Sequence, residues 1–147
     1  MSLARVVASG GGLGWLPGAP GTWASLTSVL AGAGLLALSP WALAAGAVAA
    51  TLGGLWAITS QGVGGDDPGW VVIDEVAGQW ITMLALSRPA PLWLLAAFLV
   101  FRTLDIAKPG PIGWADRRHD AVGVMADDVI AGAVGAALLL AARVAHM

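Results

Sequence analysis

Residues Trp41–Thr59 read WALAAGAVAATLGGLWAIT, without a single charged side chain. A helix needs about 20 consecutive apolar residues to cross a bilayer, within a range of roughly 17–25, so this stretch reads as a membrane span. It begins after Ser39-Pro40 and ends near Gln61-Gly62, ahead of the turn-rich Gly64-Gly65-Asp66-Asp67-Pro68-Gly69. Working outward, Thr22–Leu38, Val71–Leu86, Leu92–Ala107 and Val124–Val144 also read as helices, separated by the proline and glycine clusters that break them. Val124–Val144 is long enough to cross with ease, Thr22–Leu38 and Leu92–Ala107 only just. Val71–Leu86 carries Asp74 and Glu75 in its first turn and is the weakest span. The expected fold is all-α, a compact multi-helical membrane bundle of about five helices, with residues 1–147 as one domain.

Composition agrees. Of 147 residues, 58% are hydrophobic and 11% charged, with a mean hydropathy of +0.81; soluble domains carry about 25% charged residues. Disorder is excluded, because it requires low hydrophobicity and high charge. A net charge of −2 and a pI near 5.4 offer no basic stripe for nucleic acid. The absence of cysteine excludes disulfides, thiolate metal sites and cysteine nucleophiles. Arg5 is followed by too few apolar residues before Gly10-Gly11-Gly12 for the core of a cleavable signal peptide.

Alternating five helices across a bilayer puts all nine carboxylates (Asp66, Asp67, Asp74, Glu75, Asp105, Asp116, Asp120, Asp127, Asp128) at or near one side. Arg5, Arg102, Lys108, Arg117 and Arg118 fall on that side, against Arg88 and Arg143 on the other. The positive-inside rule makes the richer side cytoplasmic. Trp15, Trp23, Trp70 and Trp114 gather there, with Trp41 and Trp93 opposite, as interfacial belts do. The expected topology is multi-pass, with a site facing the cytoplasm.

Four clusters carry candidate chemistry. The loop from Gly10 to Thr22 is rich in glycine and runs into a helix start, a setting that favours anions. Thr22 either offers its hydroxyl to a phosphate or serves as a helix N-cap. In Ile73-Asp74-Glu75-Val76-Ala77-Gly78-Gln79-Trp80, Glu75 shares a face with Gly78, Gln79 and Thr82, whereas Asp74 diverges from it by about 100°. Glu75 is the first choice of inward ligand and Asp74 the second; the competing reading is a pair of acids stabilising a helix start. Arg102, Asp105 and Lys108 sit on successive turns, as structural ion pairs or as a metal ligand flanked by two phosphate-binding cations. Asp127 and Asp128 lie in an otherwise apolar helix, where acids are functional by default. Asp128 shares its face with Gly132 and Gly135, where another helix can approach closely. His119 lies in the polar run Asp116-Arg117-Arg118-His119-Asp120 and reads as a solvated loop residue. Many carboxylates and no thiolates favour a hard cation, and Mg2+ where phosphate is also bound. The residues alone reach a metal-assisted phosphoryl site at the cytoplasmic surface, without choosing hydrolase over transferase.

In this order, Pro20-Gly21-Thr22, Asp74-Glu75 with Gly78-Gln79-Trp80-Ile81, Phe101 through Ile112, and Asp127-Asp128 through Ala131-Gly132 resemble the phosphatidylglycerophosphatase A family over most of the chain. The resemblance implies a helical membrane enzyme that uses Mg2+ to hydrolyse phosphatidylglycerophosphate, a phospholipid, to phosphatidylglycerol and inorganic phosphate. Matched by position, the polar motif residues are Thr22, Asp74, Glu75, Arg102, Asp105, Lys108, Asp127 and Asp128. On this reading Glu75, Asp105 and Asp128 are catalytic, and Asp74, Glu75, Asp105, Asp127 and Asp128 hold metal. Thr22, Arg102 and Lys108 bind phosphate, and either water or an aspartate attacks. Ala24, Gly110 and Asp120-Ala121-Val122 depart from the family's usual residues, which bears on loop shape rather than on the charged set. The alternatives are a small ion or proton carrier and a structural membrane subunit using the same acids; clustering at one depth disfavours both.

Overall fold

The structure, a computed structural model, describes residues 1–63 and 67–147. The turn expected at Gly64–Asp66, and with it Asp66 as a member of the acidic side, lies outside those residues.

Among the described residues there are seven α-helices and no strand. They are α1 (Leu3–Ala8), α2 (Pro20–Leu38), α3 (Pro40–Ser60), α4 (Ile73–Met83), α5 (Pro91–Ala107), α6 (Pro111–Asp116) and α7 (Ala121–Ala145), with a 3-10 turn at Leu13–Trp15. The all-helical bundle expected from the sequence is present, and its five expected segments correspond to α2, α3, α4, α5 and α7. The short α1 and α6 are additions. Four helices open on proline, which is well suited to the first helical position, where its missing N–H leaves no bond unmade. Read as a breaker, the same proline places the start of α2, α3 and α5 one or two residues late and hides α6.

Three helices, α2, α3 and α7, are long and apolar enough to cross a membrane. Their outward residues include exposed Leu30, Leu38, Leu52, Leu138 and Val144. In water such a surface would drive association; hydrocarbon solvates it. Ser39 ends α2 and also caps α3, its Oγ accepting from Ala42 N at 3.0 Å.

The centre of the bundle is its short helix. α4 has 11 residues, about 16 Å at 1.5 Å per residue, and packs on α2, α3, α5 and α7. Glycine lets it approach that closely. A Cβ on Gly78 would lie 2.5 Å from the carbonyl oxygen of Asp128, and one on Gly132 would lie 2.6 Å from that of Gly78. The backbones of α4 and α7 therefore touch, as small-residue crossings in membranes do. On the other flank Trp80 Nε1 donates to Ser28 O at 2.8 Å, and a Cβ on Gly32 would meet Trp80 and Met83 at 2.8–2.9 Å. With Gly21 against Glu75 one end earlier, α2 and α4 run parallel.

The α4–α7 crossing generates a stability prediction. Gly78→Ala or Gly132→Ala should lower stability by about 1–3 kcal/mol through overpacking, read as a lower unfolding midpoint in detergent. Gly34→Ala, whose Cβ would meet nothing within 4 Å, should leave the midpoint unchanged or slightly raised. Equal midpoints for all three variants would remove the crossing as a constraint.

Candidate active site

The first turn of α4 and the second turn of α7 meet at the glycine crossing, and their acids come with them. Asp74, Glu75 and Asp128 each place a carboxylate oxygen within 4.8 Å of the others. Asp74 and Asp128 are only 2% exposed. The divergence expected between neighbouring helix positions holds for the Cα–Cβ bonds but not for the carboxylates. Glu75 has an extra methylene and reaches back to the point that Asp74 faces directly.

These three acids form no ion pair with any lysine or arginine among the described residues. Asp74 Oδ1, Glu75 Oε2 and Asp128 Oδ2 are buried without a hydrogen-bond partner. Burial pushes the Asp74 carboxyl well above its ordinary range, and the neighbouring Glu75 and Asp67 charges push it further. Burial also raises Glu75, partly offset by its hydrogen bond with Asp74. Unpaired buried carboxylates are costly, and the donor set of three hard oxygens fits a divalent cation such as Mg2+.

The start of α2 lies against this cluster. A Cβ on Gly21 would sit 2.5 Å from Glu75 Oε1 and 3.4 Å from Arg102 Nη1, so glycine is what admits the helix terminus here. Thr22 does not cap α2. Ala19 holds the cap position and Pro20 opens the helix, which leaves the Thr22 hydroxyl free to accept from Arg102 Nη2 at 3.3 Å. Arg102 also pairs with Asp105, one turn along α5. Thr22, Arg102 and Asp105 thus form one connected group beside the carboxylates.

Lys108 ends α5 in the left-handed region, at φ +49, a conformation that costs a side-chain-bearing residue about 1–2 kcal/mol. That backbone turn aims its ammonium at Asp127 Oδ2 (2.6 Å) and Asp116 Oδ1 (2.9 Å). Burial opposes the charge on Lys108, but the two hydrogen bonds outweigh it and raise its pKa. The same contact holds Asp116 below its usual range. A cavity of about 150 Å³ opens beside this group, lined by Asp67, Asp116, Arg118, His119 and Asp127 among others. Crowding by protein atoms and the charge of Glu75 push Asp67 up to about 7, although its surface still reaches solvent.

All eight motif residues therefore lie at one end of the bundle, in three linked groups. Of the five acids expected to hold metal, Asp74, Glu75 and Asp128 converge, while Asp105 faces Arg102 and Asp127 faces Lys108. The glycine run is not an anion cradle. Gly10, Gly11 and Gly12 take positive φ, and the amides of Gly10, Gly11, Gly12 and Gly14 are spent on Val7, Val6 and Ser9 carbonyls within the turn. Only Gly21 and Thr22 reach the site. His119 is exposed in the loop after α6, as expected, and also lines the cavity. Asp67 and Asp116 were not singled out by spacing; recognising Pro111 as a helix start would have placed Asp116 on a short helix folding back toward Lys108.

A family model described as phosphatidylglycerophosphatase A matches residues 6–143. The phosphatidylglycerophosphatase A of Escherichia coli is 38% identical over 92% of this chain and 80% of its own length. That of Haemophilus influenzae is 38% identical over 86% of this chain and 80% of its own. A Bacteroides thetaiotaomicron protein with the provisional name phosphatidylinositol-3-phosphatase is 37% identical, over 94% of this chain and 92% of its own. No solved structure matches the chain.

The raised carboxyls of α4 set a pH dependence. A folded pKa above the unfolded one means that the folded state binds more protons, so the contribution is full below the unfolded value and is lost as pH rises through the folded one. In chelator, the unfolding midpoint should therefore rise as pH is lowered from about 8 to about 5. Asp116, shifted the opposite way, loses its contribution only at more acid pH. Saturating Mg2+ should flatten the profile by taking the protons' place; a profile equally flat in chelator would show that Asp74 and Glu75 are not strained by burial.

Proposed function

The chain belongs to the phosphatidylglycerophosphatase A family, and on that premise we propose that it removes the terminal phosphate of phosphatidylglycerophosphate, releasing phosphatidylglycerol and inorganic phosphate. Its three apolar helices and bacterial relatives make it a bacterial membrane protein. The observation that supports the reading most directly is the buried, unpaired group of Asp74, Glu75 and Asp128, set beside a guanidinium, a hydroxyl and a helix N-terminus. A phosphomonoester brings two negative charges and needs such a cationic counterpart. The excess of basic residues on the site side supports a site at the cytoplasmic leaflet.

Asp74, Glu75 and Asp128 would hold Mg2+, which when bound supplies Lewis-acid polarisation of the phosphoryl oxygens and a water acidic enough to attack at neutral pH. Arg102 and the Thr22 hydroxyl, together with the start of α2, are placed to receive the phosphoryl oxygens. Asp105 orients Arg102 and keeps its guanidinium in the site. Lys108 balances Asp127 and Asp116 and is within reach of the mouth, where it can exchange a carboxylate for a phosphate oxygen. The surrounding helices bury Asp74 and Asp128, so their charges act at low dielectric.

Phosphate release from phosphatidylglycerophosphate by the detergent-purified protein tests the reading. Activity should require Mg2+ and vanish in excess chelator. Glu75→Gln and Asp128→Asn should each lower kcat by about 10²–10³-fold while the protein still inserts and unfolds cooperatively. Full activity in chelator would overturn the metal assignment. Phosphatidylinositol 3-phosphate belongs in the same assay, because of the name borne by one relative; preferential release from it would reassign the lipid and leave the chemistry intact.

A further inference from the structure

One turn below the carboxylates, the interior of the bundle holds polar atoms that the proposed reaction does not use. Gln79 is 0% exposed, and both its amide atoms, Oε1 and Nε2, lack a hydrogen-bond partner. Ser25 is likewise 0% exposed, with Oγ unpartnered. Gln79 follows Glu75 by four residues on α4, and Ser25 follows Gly21 by four on α2, so each lies one turn beneath a member of the Gly21–Glu75 contact. The parallel packing of α2 on α4 brackets them, with Gly21 against Glu75 above and Ser28 bonded to Trp80 below. Helical side chains lean toward the N-terminus of their own helix, and both N-termini face the carboxylates.

An amide with donors and acceptor all unmatched is expensive in an apolar core, and such a group in a native protein calls for a partner. Direct ligation of a cation would satisfy Gln79 Oε1 and leave Nε2 orphaned. A buried water, which typically makes about three hydrogen bonds, can accept from Nε2, bond to the Ser25 hydroxyl and donate to a carboxylate, serving three buried atoms where a cation on Oε1 serves one. We propose that Ser25 and Gln79 form a polar floor under the site, holding a water that hydrogen-bonds upward to Glu75 and fixes that carboxylate as a metal ligand. They are positioning residues, and the proposal rests on the reading of Asp74, Glu75 and Asp128 as metal ligands.

The test uses the full chain in detergent, with Mn2+ binding followed by EPR, thermal unfolding in chelator, and phosphate release in Mg2+. Gln79→Met keeps the volume and removes the polar atoms. It should leave the unfolding midpoint in chelator near the parent's, since the packing is kept and a buried amide gives way to an apolar group of like volume, yet weaken Mn2+ binding about tenfold, the lower end of what outer-shell partners contribute. At saturating Mg2+ its kcat should fall while KM for the lipid stays. Ser25→Ala should shift Mn2+ affinity in the same direction by a smaller factor, and it decides the matter alone if Gln79→Met does not fold. Mn2+ affinities within twofold of the parent in the folded variants would overturn the floor, as would a parent protein that binds no Mn2+. A parent that binds Mn2+ but releases phosphate from neither lipid defeats the phosphatase reading instead, and the affinities still judge the floor.

Discussion

The close crossing of α4 and α7 is the constraint on which the remainder of the structure depends. Where Gly78 faces Asp128 and Gly132 faces Gly78, no side chain separates the two backbones, and residues one turn away are forced into a common space. Those residues are Asp74, Glu75 and Asp128. Like charges do not gather by attraction, and in a low-dielectric interior they repel strongly. Their convergence is imposed by backbone packing, which is maintained by apolar contacts farther along α4 with α2, α3 and α5.

The remaining charges at this end are arranged as two buffers. Arg102 takes Asp105 and Thr22, and Lys108 takes Asp127 and Asp116. Each cation is thereby fixed at a stated side of the carboxylate cluster without neutralising it. The result is a gradient: three unpaired acids at the centre, a guanidinium on the α2 side, an ammonium on the α6 side. Arg118 and Asp120 pair farther out, where both are about half exposed and the pair contributes little. On the proposed reading, a negatively charged headgroup would meet cations at the edge before the acids, and a divalent cation between them would relieve the repulsion.

Much of this was legible in the chain. Hydropathy gave the long helices, and the small residues on the Asp128 face marked where another helix comes close. The motif residues, taken in order, identified the acids and cations that meet. What was not legible has physical causes. Proline at a first helical position looks like a break, so α6 and Asp116 on it were missed. The left-handed turn at Lys108 redirects its side chain off the α5 face and onto α7, which spacing along one helix cannot show. The glycine run at Gly10–Gly12 carried the composition of an anion loop, but its amides close on α1 instead, and its role is to turn the chain so that Trp15 stacks on Trp70 at 6.3 Å. Gln79 sat in plain view on the Glu75 face; only burial shows that its amide is unmatched.

Helix direction adds a last element. α2 and α4 run parallel and both begin at the site, so two N-terminal ends, each bearing a partial positive charge, face the same carboxylates. α5 ends there, and its Lys108 compensates the partial negative charge of that terminus. α4 is too short to cross a bilayer on its own, and its first turn lies beside the start of α2 with Asp74 buried among the longer helices. Fixed dipoles of this kind need no reorganisation as charge shifts during a reaction. The acids of α4 meet Asp128 because Gly78 and Gly132 let α4 and α7 touch one turn away, a close packing that α2, which brings Gly21 and Thr22 to the same point, does not make with α7.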